Sequence, residues 1–242
     1  QLGNAVDAMA ADDAKICHSD LAVFNNSHAA DFCIIKASGG DSYVNPYCDG
    51  WVQECIAADK PWGFYHYAND IDYSSAADEA NFFLKHCWNY FGQGIPILDW
   101  EEDSVSVDWV NTFVNIIHSE TGIWCWIYGN PWRFDQGYVE PNCGRWVASY
   151  PPIQEPPLHG DLPEPPYCDG LVCCWQFASD CLLDNYDSYV DADWYISSVT
   201  PYLLYDDSQI SKVTMIFENG TVSMSASEFF DSSGSNVIVG SS

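Results

Sequence analysis

Apolar and polar positions along the chain alternate between two periods. Phe32–Ser38 (FCIIKAS) is a short apolar, β-branched run and reads as a buried strand. Trp51, Val52, Cys55 and Ile56 then recur at helical spacing, and Trp62–Tyr67 (WGFYHY) is the next strand. Ser75–Tyr90 predicts a helix with Ala76, Ala80, Phe83, Leu84, Cys87 and Trp88 on one face. Ile95–Glu101 is a strand, and Val107–Thr121 a helix with Val110, Phe113, Val114 and Ile117 inward. Gly122 stops that helix and Ile123–Tyr128 returns to strand. Beyond it the helical period fades. Pro151–Pro166 has seven prolines in sixteen residues and reads as loop. Strands follow from Arg145–Ser149, Leu171–Phe177 and Tyr189–Tyr195, and a first strand from Asn4–Asp7. Eight strands, the early ones joined by helices, predict an α/β fold whose parallel sheet closes into a barrel.

The last forty residues carry a different pattern. Val213–Phe217 and Thr221–Met224 flank Glu218-Asn219-Gly220, and Asn-Gly between two β-prone runs is a strong hairpin signal. The chain therefore divides into a barrel at 1–200 and a small β appendage with a Ser/Gly-rich, mobile end at 201–242.

Charge narrows the range of partners. Asp and Glu number 35 against 7 Lys and Arg, a net charge of −28. Phosphate backbones and anionic lipid both require a basic surface, so nucleic acid and membrane are excluded as partners. No apolar run has the length of a membrane span, and the start at Gln1 does not read as a signal peptide. Eleven cysteines are many for a reducing compartment, and the odd count leaves at least one thiol outside any intrachain disulfide. Cys33 and Cys125 lie in apolar runs and read as buried thiols. Cys168, Cys173, Cys174 and Cys181 crowd one region where a disulfide would fit an oxidising compartment. Paired Cys-x-x-Cys spacing is absent, so no metal site is assigned.

Barrel enzymes carry their chemistry at the C-terminal ends of the strands. Those ends hold Asp7, then His66 and Tyr67, then Asp99 and Glu101, then Tyr128, Tyr150 and Gln176, with Asp191 in the last strand. Acids and aromatics converging on one mouth suit a carbohydrate, which offers hydroxyls to carboxylates and apolar ring faces to aromatic rings. Asp99-Trp100-Glu101 is the sharpest feature, since residues two apart on a strand share a face. Two close carboxylates cannot ionise independently, and one retained proton makes a general acid. Glycoside hydrolysis needs that acid and a second carboxylate. A solvated pair at a strand end, with Glu102 and Asp103 beside it, is the bland alternative.

Seven segments in order resemble glycoside hydrolase family 25, the Chalaropsis-type lysozymes. They are DFCIIKAS (31–38), GFYHYA (63–68), EANFFL (79–84), PILDWE (96–101), TGIWCWIYGN (121–130), RWVASY (145–150) and WQF (175–177). The resemblance implies an irregular TIM-like barrel of five β/α units and three further strands. It also implies a peptidoglycan muramidase that cuts the β-1,4 bond between N-acetylmuramic acid and N-acetylglucosamine without a cofactor. Glu101 then matches the proton donor and Asp99 its partner acid. Asp7 and Asp191 match the acids of the first and last strands. The sequence departs from the family after Asp7, where Ala8-Met9-Ala10-Ala11 replaces the usual polar residues. It departs again at Asp193, where the family often has Asn. Two readings of Asp193 stand: added negative charge near the mouth, or a turn cap. Tyr65, Tyr67, Tyr128, Trp132, Tyr150, Trp175 and Gln176 are the substrate-binding candidates, Tyr67 and Tyr128 foremost because they end strands. His66, facing away from Tyr67, is assigned a structural role, and Lys36 is a rare cation on the second strand, a candidate for a buried ion pair with a site acid. Such a protein is secreted or phage-encoded and acts at the bacterial cell wall; the sequence does not fix its oligomeric state. The alternatives are a barrel that binds glycan without cutting it, or a glycosidase acting on chitin-like glycans. Against the latter, the Asp-x-x-Asp-x-Asp-x-Glu run of family 18 chitinases is absent around Asp99.

Overall fold

A computed structural model describes residues 4–7, 32–59, 61–69, 74–151, 166–182, 189–195, 212–217 and 220–225. The strands are β1 (Asn4–Asp7), β2 (Cys33–Gly39), β3 (Tyr43–Val44), β4 (Trp62–Tyr67), β5 (Ile95–Asp99), β6 (Trp126–Gly129), β7 (Arg145–Ala148), β8 (Val172–Leu182) and β9 (Tyr189–Tyr195). Two more, β10 (Lys212–Phe217) and β11 (Gly220–Ser225), form a separate antiparallel pair in the register of a hairpin. The helices are α1 (Cys48–Ala57), α2 (Ala76–Cys87), α3 (Val107–Thr121) and the single turn α4 (Pro131–Phe134).

The main sheet runs β1-β9-β8-β7-β6-β5-β4-β2-β3, and β1 also pairs with β2. Strands β2, β4, β5, β6, β7 and β8 are parallel, each to the next. The expectation of a wholly parallel sheet needs correction at β9, which is antiparallel to both β8 and β1. Six residues separate β8 from β9, too few for the crossover a parallel pair needs. The short strand β3, antiparallel to the end of β2, was not legible in the hydrophobic pattern.

Helices α2 and α3 form where capping and amphipathicity agree. Ser75 caps α2 by accepting from the Asp78 amide, while Asp78 accepts from Ser75, a reciprocal capping box. Helix α2 ends at Cys87, a turn short of the predicted Tyr90; Trp88–Tyr90 is a 3₁₀ turn, and Trp88 is exposed rather than inward. Ser106 caps α3, and Gly122 ends it in the left-handed conformation at φ 73°. The predicted inward residues Val110, Phe113, Val114 and Ile117 are all buried.

Each face of the sheet carries a core. The outer core joins strands to helices: Phe64, Leu98, Trp100, Ile127, Val147 and Trp175 meet Trp51, Phe83 and Phe113. The inner core holds Ile34, Tyr65, Ile97, Trp126, Tyr128, Trp146, Cys173 and Cys174. Strand alternation sorts neighbours between them, as in Ile97 inward and Leu98 outward. Cys48, Cys87, Cys125, Cys143, Cys168 and Cys173 are buried free thiols, so the disulfide expected around Cys168 does not join Cys168 to Cys173. Cys17 and the Cys181 side chain lie outside the described residues, as do the proline-rich stretch 152–165, the segment 8–31 and the Ser/Gly-rich end. No described helix is long and apolar enough to cross a membrane.

Candidate active site

The parallel strands end in a row of polar side chains that begins with Tyr67, Asp99 and Tyr128, which are paired in register across β4, β5 and β6. The backbone is tied here too, with the Ala68 amide donating to the Asp99 carbonyl and the Trp100 amide to that of Tyr128.

Asp99 belongs to the inner face and is 8% exposed. Its Oδ1 is buried and has no hydrogen-bond partner among the described residues. Burial, and after it the charge of Glu101, holds its carboxyl well above the usual carboxylate range, with Asp191 adding to the effect and Lys36 and Arg133 opposing it. Asp191 is pushed up to about 6, by burial first and by Glu101 second.

Glu101 is exposed and lies beyond the strand, because β5 stops at Asp99 rather than at Glu101. The chain leaves the sheet there for a reason visible in its partners. Trp100 turns into the outer core, where its indole donates to the Val105 carbonyl at 2.8 Å. The Arg133 guanidinium donates to the carbonyls of both Glu101 and Glu102 and to the Asp103 carboxylate. The two acids of the motif are thus placed differently, one buried and one open, and the buried one feels the charge of the other.

Aromatic and polar groups surround them. The Tyr67 hydroxyl donates to Glu102 at 2.6 Å. The Lys36 ammonium stands 4.9 Å from the Tyr67 ring centre and 5.7 Å from that of Tyr43. Tyr128 and Tyr150 both donate to Gln176 Oε1, at 2.8 and 2.7 Å. Burial raises the Tyr150 hydroxyl to about 12, so it stays a donor at neutral pH. Trp146 packs on Tyr128 and donates its indole N–H to Asp193 Oδ1 at 2.6 Å. Asp193 is fully buried, and its indole partner answers the question left open by the sequence: it is an inner-face acceptor, not a turn cap.

The other candidates fall into three groups. The backbone of Asp7 pairs in register with Asp191, while its side chain lies outside the described residues. Tyr65 sits one layer deeper, buried with Ile97 and Trp126. Trp132 is 59% exposed on α4, beside the Arg133 guanidinium. Trp175 does not join the site. It packs in the outer core, and its indole donates to the Ser149 carbonyl. His66 lies on the outer face, fully buried between Ser38 and Glu79, which bond its two ring nitrogens, and burial lowers its pKa. Sequence reasoning missed Arg133 and the role of Glu102. The available signal was scarcity, since Arg133 is one of only seven Lys and Arg in the chain. No metal-holding group of three His, Cys, Asp or Glu occurs among the described residues.

The model of the family described as glycosyl hydrolases family 25 matches residues 16–186. The chain belongs to glycosyl hydrolase family 25. Within that family, the N,O-diacetylmuramidase of Chalaropsis sp is 30% identical over 122 residues, 43% of this chain and 57% of that protein. The match therefore spans little more than half of that relative's length. The family 25 lysozyme from Aspergillus fumigatus shares the fold with a TM-score of 0.57 at 21% identity, over 75% of this chain and 94% of that one. The bacterial lysozyme from Streptomyces coelicolor gives 0.60 at 17% identity, over 84% and 97%. In this family 25 chain, Asp99 and Glu101 fall inside the matched segment, and Asp191 lies just beyond it.

Proposed function

We propose that this family 25 chain is a lysozyme, an N-acetylmuramidase that hydrolyses the β-1,4 bond between N-acetylmuramic acid and N-acetylglucosamine of peptidoglycan. The observation that carries the reading is the unequal pair of acids at the end of β5. Asp99 is buried, and its Oδ1 lacks a hydrogen-bond partner among the described residues. A buried polar atom without a partner costs about 1–3 kcal/mol, and a substrate amide laid across the mouth would satisfy it. Glu101 stands in the open. A glycan covering it would strip water from its carboxyl, the condition under which a general acid works. A substrate amide that donates to Asp99 favours its ionised form, so the proton held by the pair passes to Glu101, which gives it to the leaving oxygen while Asp99 orients the acetamide. Asp191, whose backbone pairs in register with that of Asp7, adds a further acid. The names of the Chalaropsis relative and of the Aspergillus and Streptomyces structures agree with this chemistry.

Tyr67, Tyr128 and Tyr150 line the mouth as sugar-contacting groups, with Gln176 fixing two of their hydroxyls, and Trp132 offers an exposed ring face at the rim. Tyr65 supports them from below. We also read the sheet as an irregular TIM-like barrel, which the double pairing of β1 with β9 and β2 supports, with 201–242 as an appendage to it. The site of action is the bacterial cell wall, and the charge of −28 argues against nucleic acid or anionic lipid as partner.

The test is clearing of purified cell walls with mass analysis of the fragments. Glu101→Gln should fold and lose about two to four powers of ten in rate, and the wild type should release fragments ending in reducing N-acetylmuramic acid. Wild-type clearing by Glu101→Gln, or release from chitin instead, would overturn the assignment.

A further inference from the structure

Arg133 has a position that the reaction does not require of it and that the sequence pattern did not announce. The residue is 5% exposed, and although its charge acts on Asp99 from a distance, it makes no hydrogen bond to a buried carboxylate among the described residues. Its carboxylate contact among the described residues, at 2.9 Å, is to Asp103, whose side chain is 90% exposed. A pair with one open partner adds little. The guanidinium instead turns toward main chain. It donates to the carbonyls of Glu101 and Glu102, the second at 3.2 Å, and its carbon stands 5.5 Å from the Trp100 ring centre.

The place of these contacts matters. Sheet hydrogen bonding on β5 ends with the Asp99 carbonyl and the Trp100 amide. From Glu101 onward the strand pairing has ended, and among the described residues a backbone–backbone bond follows from the Val105 amide to the Glu102 carbonyl at 3.2 Å. Between them, Arg133 holds two successive carbonyls with one rigid planar group. It is itself held by α4, where Asn130 caps the turn by accepting from the Arg133 amide and Pro131 pre-sets the first helical position.

We infer that Arg133 is a positioning residue that sets the direction of the Glu101 carboxyl by clamping the backbone on which it rides. This rests on the proposed role of Glu101 as general acid. A fork of donors suits paired carbonyls in a way an ammonium does not, and a misplacement of about 1 Å in a reacting group can cost about a hundredfold in rate.

Arg133→Lys keeps the charge and removes the fork; Arg133→Met removes both. Each is compared with the wild type for kcat and KM on soluble glycan fragments, for the pH profile, and for amide hydrogen exchange through residues 101–105. With Arg133→Lys we expect kcat to fall about tenfold or more, KM to stay within about twofold, and exchange at Val105 to quicken. The pH profile should hold its shape, because the charges facing Asp99, namely Glu101, Lys36, residue 133 and Asp191, are unchanged. In Arg133→Met the acidic limb should move upward as well. Should Arg133→Met fail to fold, the lysine variant decides alone. Unchanged kcat in a folded lysine variant overturns the inference. So does a fall in kcat and a rise in KM that merely track a lower melting temperature. If the wild type itself cuts no glycan, the muramidase reading fails, and exchange at Val105 still reports whether Arg133 clamps the loop.

Discussion

A carboxyl that loses water without gaining a donor holds its proton to a higher pH, and burial, with Oδ1 unpartnered among the described residues, shifts Asp99 in that direction. The folded protein therefore binds this proton to a higher pH than the unfolded chain does. The stability this group contributes is fully present below its unfolded value near 3.8 and is lost as pH rises through the folded value. Asp191 acts with the same sign between 3.8 and about 6. Asp99→Asn should consequently melt higher than the wild type at pH 7, by about 2–4 °C for each kcal/mol relieved, with the gap closing below about pH 4. Activity should fall as stability rises, the trade-off expected of a strained site. Thermal melts of both proteins from pH 3.5 to 8 check this; an asparagine variant that melts lower at pH 7 would show that the carboxyl is stabilised by contacts it lacks here. The presence of both acids was legible from two letters of sequence. Their inequality was not, because it depends on where β5 ends, and that depends on Arg133, on α4, more than thirty residues away.

At the scale of elements, the helices announced themselves through period and caps, and the strands only through composition. Helix α2 shows why. Its apolar residues recur on one face, and Ser75 and Asp78 close its first turn, so nearly everything that defines it lies within a short stretch of chain. Ser75→Ala should cost about 0.5–2 kcal/mol of stability and leave KM unchanged, measured by denaturant unfolding beside steady-state kinetics. A loss of activity without loss of stability would mean that the 69–75 connection reaches the substrate. The segment has a second anchor, since the Ser74 hydroxyl and the Asn69 amide both donate to Glu79, which also bonds His66. Strand β8 is the opposite case. Residues 173–178 are buried on both faces, so no alternation marks which side holds the ligand. Trp175 and its neighbour Gln176 were both substrate candidates, but Trp175 bonds the Ser149 carbonyl in the outer core, whereas Gln176 bonds Tyr128 and Tyr150. The strand β9 was found by composition, but its direction came from the short link before it.

The molecule as a whole carries −28, and bacterial walls are commonly anionic. Long-range attraction cannot bring the two together, and repulsion should slow their encounter when screening is weak. The screening length shortens from about 30 Å at 0.01 M salt to about 10 Å at 0.1 M. Wall clearing should therefore quicken from very low to moderate salt, and divalent cations should help further. Initial clearing rates across that range on one wall preparation test it, and a steady fall from the lowest salt upward would mean that local attraction outweighs the net charge. Charge, the order of the longer strands and helices, the hairpin at β10–β11 and the acids at Asp99, Glu101 and Asp191 were all determined by the sequence itself. Each is either a sum over residues or a pattern within a few turns of chain. The tertiary structure alone decided the pairing of β9 with β1, the inner face as the side for Trp146 and the outer for Trp175, the burial of Asp193, and the reach of Arg133 to the backbone of Glu101. Those features join residues tens of positions apart. Local periodicity says that a face is apolar, but only packing says what it meets.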